Sequence, residues 1–180
     1  MSAMSITNEI LDALEAGISD PIIFEKYPWV SLPVIDRENI LNYVQEGSPQ
    51  SKNLLRLAAR MALSVPGCDR WEEARILSLG ILHMGWSNSK KAIALDHLKQ
   101  VIDNLERDFA NVSQELYAKC IRYKAGYWEA NAQYCIDMDH QTDAISCFRQ
   151  ALSLFHQSAE RKSEQRIRQQ LKLYKDIEHA

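Results

Sequence analysis

Cys68 is the thiol whose surroundings could make it reactive. It stands in the segment Pro66-Gly67-Cys68-Asp69, just before a predicted helix. The positive end of a helix dipole favours the thiolate form of a nearby cysteine. The adjacent Asp69 opposes that effect, and no histidine is close in sequence. We therefore interpret Cys68 as an ordinary loop cysteine.

A run of acidic residues in the C-terminal half has the composition of a metal site. It reads Asp137-Met138-Asp139-His140, with Asp143 following. The run lacks the glycine and the distal glutamate of a calcium loop, and zinc sites usually have more than one histidine. Acidic residues at the start of a helix are favourable without any metal. We predict a tight turn between two helices here, and no metal site.

The remaining polar residues form no known catalytic pattern. His83 and His97 fall on different predicted helices, and we interpret both as core or boundary residues. The sequence contains no nucleophile elbow, zinc-protease pair, phosphate-binding glycine loop or dinucleotide fingerprint. The four cysteines are far apart, which fits reduced thiols in a cytosol. We predict a protein that is not an enzyme and has no cofactor.

The C-terminal region is basic. Residues 149–180 contain seven Lys and Arg and four Asp and Glu, a formal charge of +3, so residues 1–148 carry −6 of the chain's net charge of −3. Four basic residues there could contact nucleic acid or an acidic protein: Arg161, Lys162, Arg166 and Arg168. Interleaved acids and the absence of an aromatic platform instead favour a solvated capping helix.

Length and composition indicate an ordinary globular chain. It has 180 residues, 46% hydrophobic and 25% charged. No stretch approaches the ~18 consecutive apolar residues of a membrane span, and the N-terminus lacks the pattern of a signal peptide. We expect a cytoplasmic protein without a membrane segment.

The distribution of prolines and glycines indicates helices rather than sheets. All five prolines precede residue 67, and only three glycines follow it. Sheets need frequent turns, and turns usually use these residues. Helix starts are predicted at Asp36 and at Asp69, where Glu72 completes a capping-box pattern. Left-handed helix ends are predicted at four glycines: Gly17, Gly47, Gly67 and Gly85. We predict eight helices, near 5–16, 36–46, 49–65, 70–84, 89–108, 112–137, 140–156 and 159–178.

The apolar faces of these helices indicate which of them are central. Helix 112–137 has two apolar stripes and therefore needs a neighbour on each of two sides. The last helix has a single apolar face, as the end of an array requires. Helix 89–108 is expected to bury one stripe, formed by Ile93, Leu98, Val101, Ile102 and Leu105.

Residues 125–158 carry a regular spacing of large and small side chains. Trp128 and Ala132 lie on one predicted helix, and Ala144, Phe148 and Ala151 lie on the next. This spacing resembles the tetratricopeptide repeat (TPR), a 34-residue helix–turn–helix with the pattern Trp-x2-Leu-Gly-x2-Tyr and then Ala-x3-Phe-x2-Ala. The sequence departs from the family pattern at Asn131, Cys135 and His156. Residues 70–108 look like a degenerate copy.

The resemblance implies an all-α fold: a TPR-like, right-handed stack of antiparallel helix pairs with about eight helices. A polar stripe follows helix 112–137 at steps of three or four residues: Arg122, Gly126, Glu129, Gln133 and Asp137. Because the first helix of a TPR pair lines a concave groove, the resemblance places Glu129 and Gln133 there. The alternative is a surface strip with a packing glycine.

Residues 17–35 form an apolar arm interrupted by prolines. Pro28 and Pro33 impose extended backbone, and so many apolar side chains cannot all face water. The arm therefore covers its own helices or holds a partner, and both alternatives remain open. The residues concerned are Phe24, Tyr27, Trp29 and Val30.

We predict two parts, an N-terminal helical segment with this arm over 1–48 and a TPR-like domain with a capping helix over 49–180. The predicted function is a non-enzymatic adaptor, assembly factor or regulatory subunit that binds another protein as a peptide or helix in the groove. The expected binding residues are Arg122, Glu129, Gln133, Asp137, Phe24, Tyr27 and Trp29. A homodimer is also consistent with the apolar faces. The alternative is a nucleic-acid-associated regulator that uses the basic C-terminal helix.

Overall fold

The computed structural model describes residues 6–45 and 69–178, without the side chains of 20, 24, 43–45 and 175–178. In that part of the chain the regular secondary structure is entirely helical, with eight α-helices and no strand. Contacts divide the chain into two compact units, Met1–Met84 and Gly85–Ala180. The predicted boundary at residue 48, the predicted helix 49–65, Gly47, Gly67 and Cys68 lie outside the described residues.

The first unit contains four of the described α-helices and one short 3-10 helix. They are α1 (Ile6–Glu15), α2 (Asp20–Lys26), the 3-10 helix (Trp29–Ser31), α3 (Val34–Gln45) and α4 (Arg70–His83). Helix α1 packs on α3, and α3 packs on α4. The side chains between them form one apolar core: Ile10, Ile23, Trp29, Leu32, Ile40, Leu41, Ile76 and Leu79. The arm therefore contributes three residues to the core of its own unit.

Three of the predicted helix ends lie in the described part of this unit, at Gly17, Asp36 and Asp69, and two of them are confirmed. Gly17 has a φ of 76°, the left-handed conformation that glycine adopts without a steric cost. The carboxylate of Asp69 caps α4 by accepting hydrogen bonds from two backbone N–H groups. The predicted start at Asp36 was wrong, because α3 already begins at Val34. The buried Asp36 carboxylate instead accepts from the backbone N–H and the hydroxyl of Thr7 in α1, at 3.2 and 3.0 Å.

The second unit consists of four long α-helices. They are α5 (Asn88–Phe109), α6 (Gln114–Asp137), α7 (Gln141–Gln157) and α8 (Arg161–Glu178). Helix α6 packs against both α5 and α7, which confirms the prediction from its two apolar stripes. Helix α7 packs in turn against α8. Gly85, just after the end of α4, has a φ of 65°, the left-handed conformation predicted for it at a helix end.

Alanines allow α6 and α7 to approach closely. Ala125 and Ala132 of α6 and Ala151 of α7 are fully buried in one apolar cluster. Phe148 belongs to the same cluster, and the partly buried Trp128 packs against it. Small side chains at the contact and aromatic rings beside it are the arrangement that the spacing over 125–158 predicts.

The turns before α7 and before α8 have the same geometry. Asp139 and Ala159 have φ values of 61° and 59°, the left-handed region that favours glycine. In each turn the next residue donates its N–H five positions back, from His140 to Cys135 at 2.8 Å and from Glu160 to Phe155 at 2.9 Å. The acidic run therefore forms the tight turn that we predicted.

Two predictions about buried residues of helix α5 were wrong. Its buried face consists of Ala94, Leu95, Leu98, Val101, Ile102 and Leu105, with Lys91. Ile93 is not part of it and is 72% exposed, because it lies about 140° around the helix from Leu98. His97 is also exposed, as is His83 in α4, so neither is a core histidine. No helix in residues 6–45 and 69–178 is long and apolar enough to cross a bilayer.

Candidate functional site

The arm is attached to α4 by a carboxylate. Trp29 is 2% exposed, and its indole N–H donates to Oε2 of Glu72 at 3.0 Å. The other oxygen of Glu72 accepts from Nε of Arg37 at 2.7 Å. The Arg37 guanidinium also donates to the Leu32 carbonyl oxygen at 2.8 Å. The predicted capping box is therefore only half formed: Asp69 caps the helix, and Glu72 holds the arm instead.

A second contact attaches the arm to α1. The Tyr27 hydroxyl donates to Oε2 of Glu9 at 2.6 Å, and the ring is partly buried. The Lys26 ammonium lies 5.2 Å from the centre of this ring. Phe24, the other aromatic residue predicted to bind a partner, has its side chain outside the described part. Trp29 and Tyr27 thus attach the arm to its own unit, which is one of the two alternatives left open for it.

The arm nevertheless leaves aliphatic side chains in solvent. We call these residues the exposed aliphatic segment: Ile18, Ile22, Val30, Val34 and Ile35. They are half of the ten large hydrophobic residues found exposed in the described part of the chain. Ile22 and Ile35 are 59% and 61% exposed, whereas the neighbouring Ile23 is buried. Of these five residues, only Val30 was named from the sequence as a residue that covers its own helices or holds a partner.

The sequence that contains this segment is acidic. Residues 6–45 contain seven Asp and Glu and only two basic residues, a formal charge of −5. Arg37 is engaged by Glu72 within the unit, and Lys26 lies over the Tyr27 ring. The segment therefore combines exposed aliphatic groups with an excess of carboxylates.

The polar stripe of α6 is paired within the chain. The Glu129 carboxylate, in a residue only 9% exposed, accepts two hydrogen bonds from the Arg166 guanidinium of α8, at 2.7 and 2.8 Å. The hydrogen bond to Glu129 raises the pKa of Arg166, against the opposing effect of burial. Glu129 was predicted to line the groove, and Arg166 was named as a possible nucleic-acid contact. The ion pair joins these two residues. A bidentate pair of this kind fixes the position of both helices.

The other charged and amide side chains of the stripe also have partners. Arg122 pairs with Glu160, just before α8, at 3.1 Å. Asp137 pairs with Lys91 of α5 and accepts a hydrogen bond from the Gln133 amide at 3.2 Å. The stripe thus connects α6 to α5 and α8. Its role in binding another protein remains a prediction.

The two pairs between α6 and the α8 region show that these helices run in the same direction. The partner of Arg122 is Glu160, 38 residues later in the chain, and the partner of Glu129 is Arg166, 37 residues later. A nearly constant separation is what parallel helices give. Contacts between α5 and α6 run the opposite way, from Glu106 to Lys124 and from Lys91 to Asp137. Helices α5 and α6 are therefore antiparallel, whereas α6 and α8 are parallel.

The three described thiols are held in their neutral form. Burial raises the pKa of Cys147 to about 12 and also raises the pKa of Cys120 and Cys135. A neutral thiol is a weak nucleophile and a weak metal ligand. In the described residues, no group of three or more His, Cys, Asp or Glu side chains is placed to hold a metal ion.

Comparison of the chain with protein-family models, with curated proteins and with solved structures finds no match. The assignment to the TPR family therefore remains a prediction from the residues of 125–158.

Proposed function

We propose that this protein is a non-enzymatic interaction module that binds a partner protein through the exposed aliphatic segment. One observation carries the proposal: residues 18–35 expose five large aliphatic side chains, although the same arm is anchored by Trp29 and Tyr27. A contiguous exposed apolar patch is typical of a binding surface, and five such side chains within 18 residues favour one here. The anchored aromatic residues hold this surface in place before a partner arrives.

Burial of the exposed aliphatic segment supplies a large part of the free energy that a specific complex needs. Full burial of a Val or Ile side chain contributes about 1.5–3 kcal/mol. Ile22, Val34 and Ile35 are each about 60% exposed, so burial of all three contributes about 3–5 kcal/mol. A micromolar complex needs about 8 kcal/mol in total. The remainder would come from the rest of the segment and from its carboxylates.

The acidic sequence that contains this segment favours one kind of partner. A formal charge of −5 over residues 6–45 repels nucleic acid and anionic lipid headgroups. It attracts a protein whose apolar contact residues are flanked by lysines or arginines. The proposed partner is therefore a basic amphipathic segment, in a protein that shares the cytoplasm with this chain.

We also propose that α5–α8 form a TPR-like stack that serves as the scaffold of this module. The alanine contact between α6 and α7, the common cluster of Trp128 and Phe148, and the parallel course of α6 and α8 support this proposal. In such a stack the α6 stripe would border a groove, and the Glu129–Arg166 pair would fix its two sides. No reaction step is assigned to the protein.

Photo-crosslinking tests the proposed binding surface. A benzophenone amino acid replaces Ile22 or Ile35 in the full chain, expressed in its native organism. The control is the same replacement at Ile93, an isoleucine that is 72% exposed in α5. We expect both arm positions to crosslink to the same protein and the control position to leave that protein uncrosslinked.

Two outcomes would contradict the proposal. Equal crosslinking from all three positions would indicate nonspecific adhesion of exposed isoleucines. A crosslinked product of twice the chain's mass, containing only this chain, would indicate that the segment is a homodimer interface.

A further inference from the structure

Over residues 161–174, helix α8 separates its charges between two sides. Residues 161–174 contain five basic side chains and a single acid, Glu164. The Glu164 side chain is 14% exposed and lies 3.3 Å from His156 and 4.0 Å from Arg168. Arg166 is occupied by the two oxygens of Glu129. The acid is thus turned towards the protein, whereas the other basic residues face solvent.

We call the outward residues the basic face of α8: Arg161, Lys162, Arg168 and Lys172. At 100° per residue, Arg161, Arg168 and Lys172 lie within about 40° of one another, so they form a row about 16 Å long. Among the described residues, none forms an ion pair with Arg161, Lys162 or Lys172.

The stability of the helix does not explain this row. Arg161 and Lys162 stand in the first turn of α8, where the helix dipole disfavours positive charge. The apolar side of α8 is held by Ile167, Leu171 and Tyr174, which pack on the cluster of α6 and α7. The outward cations are exposed and lie outside that apolar cluster. Their arrangement matches a row of negative charges in a binding partner.

We propose that the basic face of α8 binds an acidic segment of a partner protein. Nucleic acid fits less well, because residues 161–173 include no aromatic side chain on which bases could stack. The net charge of −3 also opposes the approach of an extended polyanion, whereas a short acidic segment meets only the local charge. This surface is distinct from the exposed aliphatic segment, so the inference does not depend on the proposed function.

A pair of matched probes tests this inference with the full-length protein. The first is a fluorescent 14-residue helical peptide with glutamates at positions 2, 6, 9 and 13, and its control has glutamine at those positions. The second is a labelled five-nucleotide oligo-dT, whose four phosphodiesters carry the same charge. Anisotropy titrations at low salt compare wild type with the variant R161Q/R168Q/K172Q. The control variant K90Q/K99Q/R107Q removes the same number of exposed positive charges from α5.

We expect the glutamate peptide to bind wild type more tightly than the glutamine peptide or the oligonucleotide. The α8 variant should raise the Kd by about fivefold or more, and the α5 variant by less than twofold. No preference for the glutamate peptide, equal losses in both variants, or tighter binding of the oligonucleotide would overturn the proposal. A charge-reversed variant, R161E/R168E/K172E, should bind a lysine version of the peptide, and failure to do so would also contradict it.

Discussion

Removal of the Glu72 carboxylate tests how the arm is held in place. The side chains of Glu72 and Arg37 are both 15% exposed, and the indole of Trp29 is buried. In Glu72→Ala the indole N–H loses its acceptor, and the guanidinium keeps only the Leu32 carbonyl. A buried donor without a partner costs about 1–3 kcal/mol, and breaking a buried ion pair costs about 3–5 kcal/mol. Because both side chains remain partly exposed, the combined cost is smaller than the sum of these two values. We expect the free energy of unfolding to fall by about 3–4 kcal/mol.

Urea denaturation followed by circular dichroism measures this loss. Glu72→Gln keeps an acceptor but loses the charge, so its free energy of unfolding should fall by about 1–2 kcal/mol. The control is Glu25→Ala, an exposed position in α2, where a surface substitution should change the value by less than about 0.5 kcal/mol. A double-mutant cycle with Arg37→Ala should give a coupling of about 2 kcal/mol. If Glu72→Ala is no less stable than Glu25→Ala, this carboxylate does not hold the arm in place.

Three further predictions concern the second unit. Ala159→Gly should raise the free energy of unfolding by about 0.5–1 kcal/mol, because the alanine has a φ of 59°, a conformation that glycine adopts more easily. A lower melting temperature for this variant in thermal unfolding would contradict the prediction. A double-mutant cycle of Glu129→Gln and Arg166→Gln, measured by urea denaturation, should give a coupling energy of about 1–2 kcal/mol, because the pair is bidentate but nearly half of the arginine side chain is exposed. A coupling energy near zero would show that this ion pair does not join the two helices. Burial raises the pKa of Cys147 to about 12, above the unfolded value near 9. The contribution of this thiol to the free energy of unfolding is therefore fully present below pH 9. It is lost between pH 9 and 12, at up to about 1.4 kcal/mol per pH unit. Urea unfolding of Cys147→Ala should therefore depend less on pH over that window than wild type does, and an equal dependence would mean that this thiol is not protected.

The helices of the second unit could be predicted because their signals are local. Apolar spacing located α5 to α8 to within a few residues, and the two stripes of α6 correctly required two neighbours. The left-handed turns at Asp139 and Ala159 had no such signal, because neither residue is a glycine. There the backbone conformation is imposed by hydrogen bonds that close the end of the preceding helix.

The roles of the charged residues could not be predicted from neighbouring sequence. Glu72 has the spacing of a capping box, but its carboxylate binds Trp29 and Arg37, more than thirty residues away. Glu129 and Arg166 were assigned to two different surfaces, yet they meet in one ion pair across α6 and α8. Such partners depend on how helices are placed in space, and local periodicity does not contain that information.

The affinity of the purified complex tests the binding surface most directly. The partner obtained by crosslinking is titrated by calorimetry with wild type, Ile22→Ser, Ile35→Ser and Ile93→Ser. Burial of about 60% of an isoleucine contributes about 1–2 kcal/mol, so each arm variant should raise the Kd by about fivefold to thirtyfold, while Ile93→Ser leaves it unchanged. Unchanged affinity in both arm variants, or an equal loss in Ile93→Ser, would show that the partner does not dock on the exposed aliphatic segment.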